Sequence, residues 1–188
     1  MSDLVPIQAP GGPPDSRPTV LFPAALAADA PRFLATLPYD PRAFFISELT
    51  SVDPAARKVA ARVDTSAGLP FVEHQRGGEA LHPKHVNGGV LVHLTGMLGL
   101  VHAYFFDGLR FDEGWIGYGG RIHRAEFRTL ARIGPPLELS SVETRRRDGA
   151  DRKVVRYEFE FRQEGRVVYV GDQTASWLRG PAGADEDA

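Results

Sequence analysis

Near the C-terminal end, Tyr157, Phe159 and Phe161 alternate with charged residues. A period of two puts apolar side chains on one face of a half-buried antiparallel strand. Comparable runs predict strands over Trp115–Tyr118, Ile122–Leu130, Leu137–Arg145, Val154–Gln163 and Val167–Leu178, with Gly165 turning the chain into the last. Upstream, Ala43–Val52 reads as a strand through Phe44, Phe45, Ile46 and Leu49. Asp53-Pro54-Ala55-Ala56 reads as a turn and Lys58–Val63 as the returning strand of a hairpin. Ala30–Leu37 predicts a short helix, stopped by Pro38 and Pro41.

Gly89–Phe106 breaks this rhythm. It is too long for one strand, and its apolar residues nearly surround a helical axis, as expected of a helix wrapped by a sheet. Gly96 and Gly99 lower its helix propensity and permit close approach of a strand. One long helix followed by a meander of antiparallel strands predicts an α+β domain. We place it at 18–179, between a flexible Pro/Gly-rich arm (1–17) and an acidic tail (180–188).

Composition adds exclusions. At 188 residues, the chain can bury a core without disulfides or metal. A net charge of −2 gives no reason to expect nucleic acid or an anionic membrane as partner. The absence of cysteine rules out a thiolate nucleophile and cysteine metal ligands. Val90–Phe106 is slightly short for a membrane span and carries His93 and His102, so the expected address is cytoplasmic.

Candidate chemistry concentrates in the middle of the chain. Five of the six histidines fall between His74 and His102, around His82-Pro83-Lys84-His85-Val86-Asn87-Gly88-Gly89. Histidine titrates nearest to physiological pH, so this is where proton transfer is sought. His93, in an otherwise apolar helix, needs a buried partner or a chemical role. His102 lies nine residues on, half a turn out of phase, and reads as structural. His82, His85 and His93 match no recognised metal-ligand spacing, and no metal is expected.

The order of elements resembles the hot dog fold, a curved antiparallel sheet wrapped around one long central helix. Leu34-Ala35-Thr36-Leu37-Pro38-Tyr39, then Phe44-Phe45-Ile46-Ser47-Glu48-Leu49 and Val52-Asp53-Pro54, resembles the opening of 3-hydroxyacyl-thioester dehydratases. Ala125-Glu126-Phe127-Arg128 with Gly134-Pro135-Pro136-Leu137, and Gly165-Arg166-Val167-Val168-Tyr169, resemble their later strands. Phe71-Val72-Glu73-His74 is similar to their Phe-x-Gly-His element, with Glu73 in place of glycine.

The resemblance implies a dehydratase acting on acyl carrier protein or coenzyme A thioesters in fatty acid or polyketide metabolism. It also implies a homodimer and no tightly bound cofactor. His74 would be the base and His85 the reserve, with the acid supplied by His93, Glu73 or Glu79. Asn87, Gly88 and Gly89 would hold the thioester at the helix start, where backbone N–H groups stabilise an enolate-like oxygen. The sequence departs from the family where its helix carboxylate belongs: that position falls on His93 or Leu94. His85-Val86-Asn87-Gly88-Gly89 also resembles the loop of hot dog acyl thioesterases, so thioester hydrolysis is the alternative. A non-catalytic acyl-binding protein is the third reading.

Overall fold

In a computed structural model of the chain, residues 3–10, 18–76 and 82–180 are described. Among them, eight strands form one sheet around a central helix. The strands are β1 (Leu4–Gln8), β2 (Thr19–Pro23), β3 (Glu48–Asp53), β4 (Lys58–Val63), β5 (Trp115–Phe127), β6 (Leu137–Asp148), β7 (Arg152–Gln163) and β8 (Arg166–Arg179). Their spatial order is β1-β2-β3-β4-β6-β7-β8-β5. Pairing is antiparallel throughout except for one parallel contact between β2 and β3, Leu21 with Glu48. Helix α1 (Ala30–Thr36) packs Phe33 and Leu34 into the core.

The central helix α2 runs Gly88–Asp107, one residue beyond the expected span at each end. Its limits are chemical. The Asn87 side chain accepts a hydrogen bond from the Gly89 N–H at 2.8 Å, and Gly108 ends the helix at φ +63°. Although α2 is long and apolar enough to cross a membrane, the sheet wraps it and two-thirds of its apolar stretch is buried. At its C-terminal end Asp107, with a side chain 1% exposed, pairs with Arg57 and Arg146, and Glu143 pairs with Arg57. These guanidiniums tie the end of α2 to β6.

Three expectations change. The run Ala43–Val52 is a strand only from Glu48. Asp40 accepts from the Arg42 N–H and forms a tight turn over Pro41–Ala43, after which Phe44 and Ile46 are buried without a strand partner. The two strands expected over Trp115–Leu130 are one, β5, bent by register shifts at Gly119–Arg121 and Ile122–Arg124. The stretch expected as an arm contributes β1, which pairs with β2 along Leu4–Gln8. Pro6 is tolerated there because β1 is an edge strand. Of the tail, only Gly180 lies within the described residues.

His102 is fully buried, and its Nε2 lies 2.8 Å from Ser141 Oγ on β6. Burial, reinforced by the charge of Arg57 and only partly opposed by Ser141, holds its pKa down at about 3. Below pH 6.5 the unfolded chain takes up a proton here that the folded chain refuses. This contribution is therefore complete above pH 6.5 and is lost as the pH falls towards 3. Comparing urea denaturation at pH 7 and pH 5, wild type should lose about 2 kcal/mol more than His102→Gln.

Candidate functional site

One face of α2 is not sealed by side chains. Along it lies an open cavity of about 480 Å³, a size that suits a small-molecule ligand. The helix contributes Val92, His93, Gly96, Gly99 and Leu100, which recur at intervals of three and four. The opposite wall is β5 from Gly117 to Ile122, with Phe159 and Tyr157 of β7 and Gln173 to Trp177 of β8.

The space exists because both walls carry glycine. A Cβ at Gly96 would meet nothing within 4 Å, so the helix backbone there faces the slot. A Cβ at Gly117 would overlap the Trp177 ring, which lies on the strand in the room that glycine leaves. Gly99 lies under the same indole, its ideal Cβ 3.9 Å from Trp177 Cζ2. The close approach expected at the helix glycines thus holds for Gly99, through a side chain, whereas Gly96 provides volume.

His93 stands at one end of the slot. Its Nε2 is 2.8 Å from the carbonyl oxygen of Ala43. A carbonyl only accepts, so Nε2 carries the proton and, in the neutral ring, Nδ1 keeps its lone pair. Phe45 and Tyr39 pack on the imidazole at 5.3 and 5.8 Å between centroids. The result is an oriented imidazole beside an apolar space. Thr95 donates to the Val92 carbonyl at 2.6 Å and lies 3.0 Å from Gln173 Oε1, which fixes the wall next to it.

The other sequence candidates among the described residues lie off this slot. Glu73 and His74 are exposed on a turn before the histidine-rich loop. His85 is half-buried; its ring donates through Nδ1 to the Pro83 carbonyl at 3.0 Å, and its backbone is clamped by Gln75. Asn87 is the helix cap, and the cap occupies the Gly89 N–H. Gly88 lies beneath the Phe127 ring, its ideal Cβ 3.0 Å from Cε1. Glu79 falls outside the described residues. Among the described residues, no three His, Asp or Glu side chains converge to hold a metal ion.

No protein-family model and no curated protein matches the chain. Solved structures do. The dehydratase heterocomplex ApeI:P from Xenorhabdus doucetiae is similar over 80% of this chain and 91% of that one, with 12% identity and a TM-score of 0.54. This is the hot dog fold. A thioesterase from Haemophilus influenzae is similar at 18% identity over 73% of this chain and 82% of that one (TM-score 0.49). AziG from S. sahachiroi is similar at 21% identity over 70% and 90% (TM-score 0.48). At these identities the likeness is one of fold, and the hot dog slot must be read from its own residues.

Filling the slot should separate its volume from the fold's stability. Gly96→Leu improves helix propensity and enters open space, so Tm should rise by about 2–4 °C. A fluorescent apolar probe that binds wild type in the slot should no longer bind the variant.

Proposed function

We propose that this hot dog protein hydrolyses acyl thioesters, with the acyl group in the slot and His93 as general base. The observation that carries this reading is the pairing of one oriented imidazole with an apolar slot that has no carboxylate on its wall among the described residues. Water held by Nδ1 of His93 gives up a proton as its oxygen attacks the thioester carbonyl. The C–S bond breaks and the thiolate leaves, to be protonated by the imidazolium or by solvent. A thiol of ordinary pKa near 8.5 departs with little assistance.

Dehydration, the reaction ranked first from the sequence, makes a heavier demand. It expels hydroxide, whose conjugate acid has a pKa of about 15.7, so an acid must be held against the departing oxygen while a base works elsewhere. Among the described residues the slot wall carries one imidazole, His93, and no carboxylate to share the two tasks with it. Hydrolysis needs one base, which is why we place it ahead of dehydration.

The carrier is coenzyme A or acyl carrier protein. Arg121, exposed on the slot rim, forms no ion pair among the described residues and suits the carrier's phosphate. We further propose a homodimer formed along β5. This edge strand is 13 residues long and exposes Ile116, Tyr118, Ile122 and Phe127, the last at 55%. A long apolar edge left bare is an aggregation hazard, which a second copy removes.

Thiol release from a saturated acyl coenzyme A tests the chemistry. His93→Ala should lower kcat/KM by about 10²- to 10⁴-fold, while His74→Ala should leave it unchanged. Water loss from a 3-hydroxyacyl thioester without thiol release would restore the dehydratase reading. Absence of both reactions alongside tight acyl binding would leave a binding protein. For the assembly, Ile122→Lys should convert a dimer in light scattering to a monomer.

A further inference from the structure

The two ends of the slot differ in access. Near His93 it is flanked by Tyr39, which packs on the imidazole, and by Ile122, which pairs with Gln173; both side chains are 52% exposed. At the other end Leu100, Tyr157 and Trp177 are buried. The six-membered ring of Trp177 closes that end. On the strand side it packs directly on the Gly117 backbone, where a Cβ would overlap Cε3, Cζ3 and Cη2. On the helix side a Cβ at Gly99 would lie 3.9 Å from Cζ2, so the passage between ring and helix backbone is at most about 5.5 Å across. A methylene in contact with both sides needs about 7–8 Å. An alkyl chain therefore stops at the ring. Phe111 stacks on the indole at 6.3 Å between centroids and 22° between planes, which holds it there.

We propose that Trp177 sets the length limit of the acyl group, and that the slot takes a medium-length saturated chain with an apolar end. This rests on the reading of the slot as an acyl site, but not on hydrolysis. The polar edges of the aromatic residues are turned away from the slot. The indole nitrogen and the Tyr157 phenol oxygen have essentially no accessible surface and lie by each other, near Arg57, Asp107 and Glu143. What the chain meets is carbon. A polar terminus would shed its water at the ring without gaining a partner, so it binds less well than a methyl. Gly117 belongs to the same device, because a side chain there would expel the ring from the gap.

The spacing gives the limit. His93 and Gly99, which lies under Trp177, are six residues apart on α2, about 9 Å of helix rise. An extended chain covers that distance in about seven or eight bonds. Octanoyl is therefore the longest saturated acyl group that ends at the ring, and a longer one has to displace the indole from Phe111 or leave its last carbons in water.

Calorimetric titration of the full chain with amide analogues of hexanoyl, octanoyl and decanoyl coenzyme A tests this without turnover. In wild type the step from hexanoyl to octanoyl should tighten binding about 10-fold, as burial of two methylenes gives, and the step to decanoyl should add nothing. Trp177→Phe withdraws the ring carbons that reach the two walls, so the decanoyl-to-octanoyl ratio should rise to about 10. Gly99→Ala places a methyl against the ring and favours the helix, so the octanoyl-to-hexanoyl ratio should fall to about 1 in a protein that melts no lower than wild type. A purely structural role for the indole would not move these two ratios in opposite senses. The proposal is overturned if wild type gains from octanoyl to decanoyl as it does below, or if folded Trp177→Phe keeps the octanoyl limit. Should Trp177→Phe fail to fold, Gly99→Ala decides: an unchanged octanoyl-to-hexanoyl ratio overturns the proposal. If no analogue binds wild type, the acyl-site reading itself fails and takes this proposal with it. Binding with the expected limit but without thiol release would leave the proposal standing and remove only hydrolysis.

Discussion

A 20-residue helix with twelve buried residues distributed around its axis has no stable place on a surface. This constraint on α2 shapes the rest of the molecule. A flat sheet covers one side of a helix, so the strands must curve to enclose more of it. The tyrosine and phenylalanines on the inner face of β7 are the matching wall. Each polar residue on α2 then needs a partner from whatever lies opposite. His102 finds Ser141, Asp107 finds Arg57 and Arg146, and His93 finds the Ala43 carbonyl. The partner, rather than the residue type, separates their roles. His102 meets a strand in the dry interior and is held neutral, whereas His93 meets a loop carbonyl at the margin of a cavity.

The two ends of α2 oppose one another in an instructive way. A carboxylate at a helix C-terminus adds to the negative end of the helix dipole, and Asp107 is almost fully buried there. It is tolerated because two guanidiniums share it, and removing either partner of such a pair would leave a desolvated charge. That rigid end frees the other half of the helix to be imperfectly covered. Glycine at 96 costs about 1 kcal/mol of helix propensity relative to alanine. The slot is what the molecule has in return. Gly117 on β5 works in concert with it, since the Trp177 indole occupies the space its missing side chain leaves and becomes the floor of the same slot.

Much of the fold was legible because it rests on periodicity. The limits of α2 came within one residue, and β4, β6, β7 and β8 lay where alternation placed them. The errors share a cause: local signals were outvoted by pairing. Phe44 to Ile46 look like a strand because they are buried, but Asp40 and Pro41 set a turn that leaves them without a ladder. Prolines made residues 4–8 look like part of an arm, although Leu4, Val5 and Ile7 could still dress a sheet edge. At the site, His93 was legible as the odd residue in an apolar helix. The emphasis on His74 followed the likeness of Phe71-Val72-Glu73-His74 to the dehydratase element, with His85 in reserve, and both lie off the slot. Trp177, Tyr157 and Gly117 were illegible as a group. They lie on three strands, and only the β5–β8–β7 register brings them to one end of α2.

The helix carboxylate that the resemblance led one to expect and the volume found beside α2 are connected. Seven residues of α2 line the slot, from Val92 to Leu100, and His93 is the ionisable one among them. A carboxylate at 93, the position to which the resemblance points, would stand beside apolar space, where desolvation raises its pKa and favours the neutral acid. This chain instead has an imidazole at 93 and leaves the backbone bare at 96. The bare backbone at 96 enlarges the cavity from His93 towards Trp177. Imidazole and volume belong together in this arrangement: one oriented histidine at one end of the slot and an apolar run along the glycines.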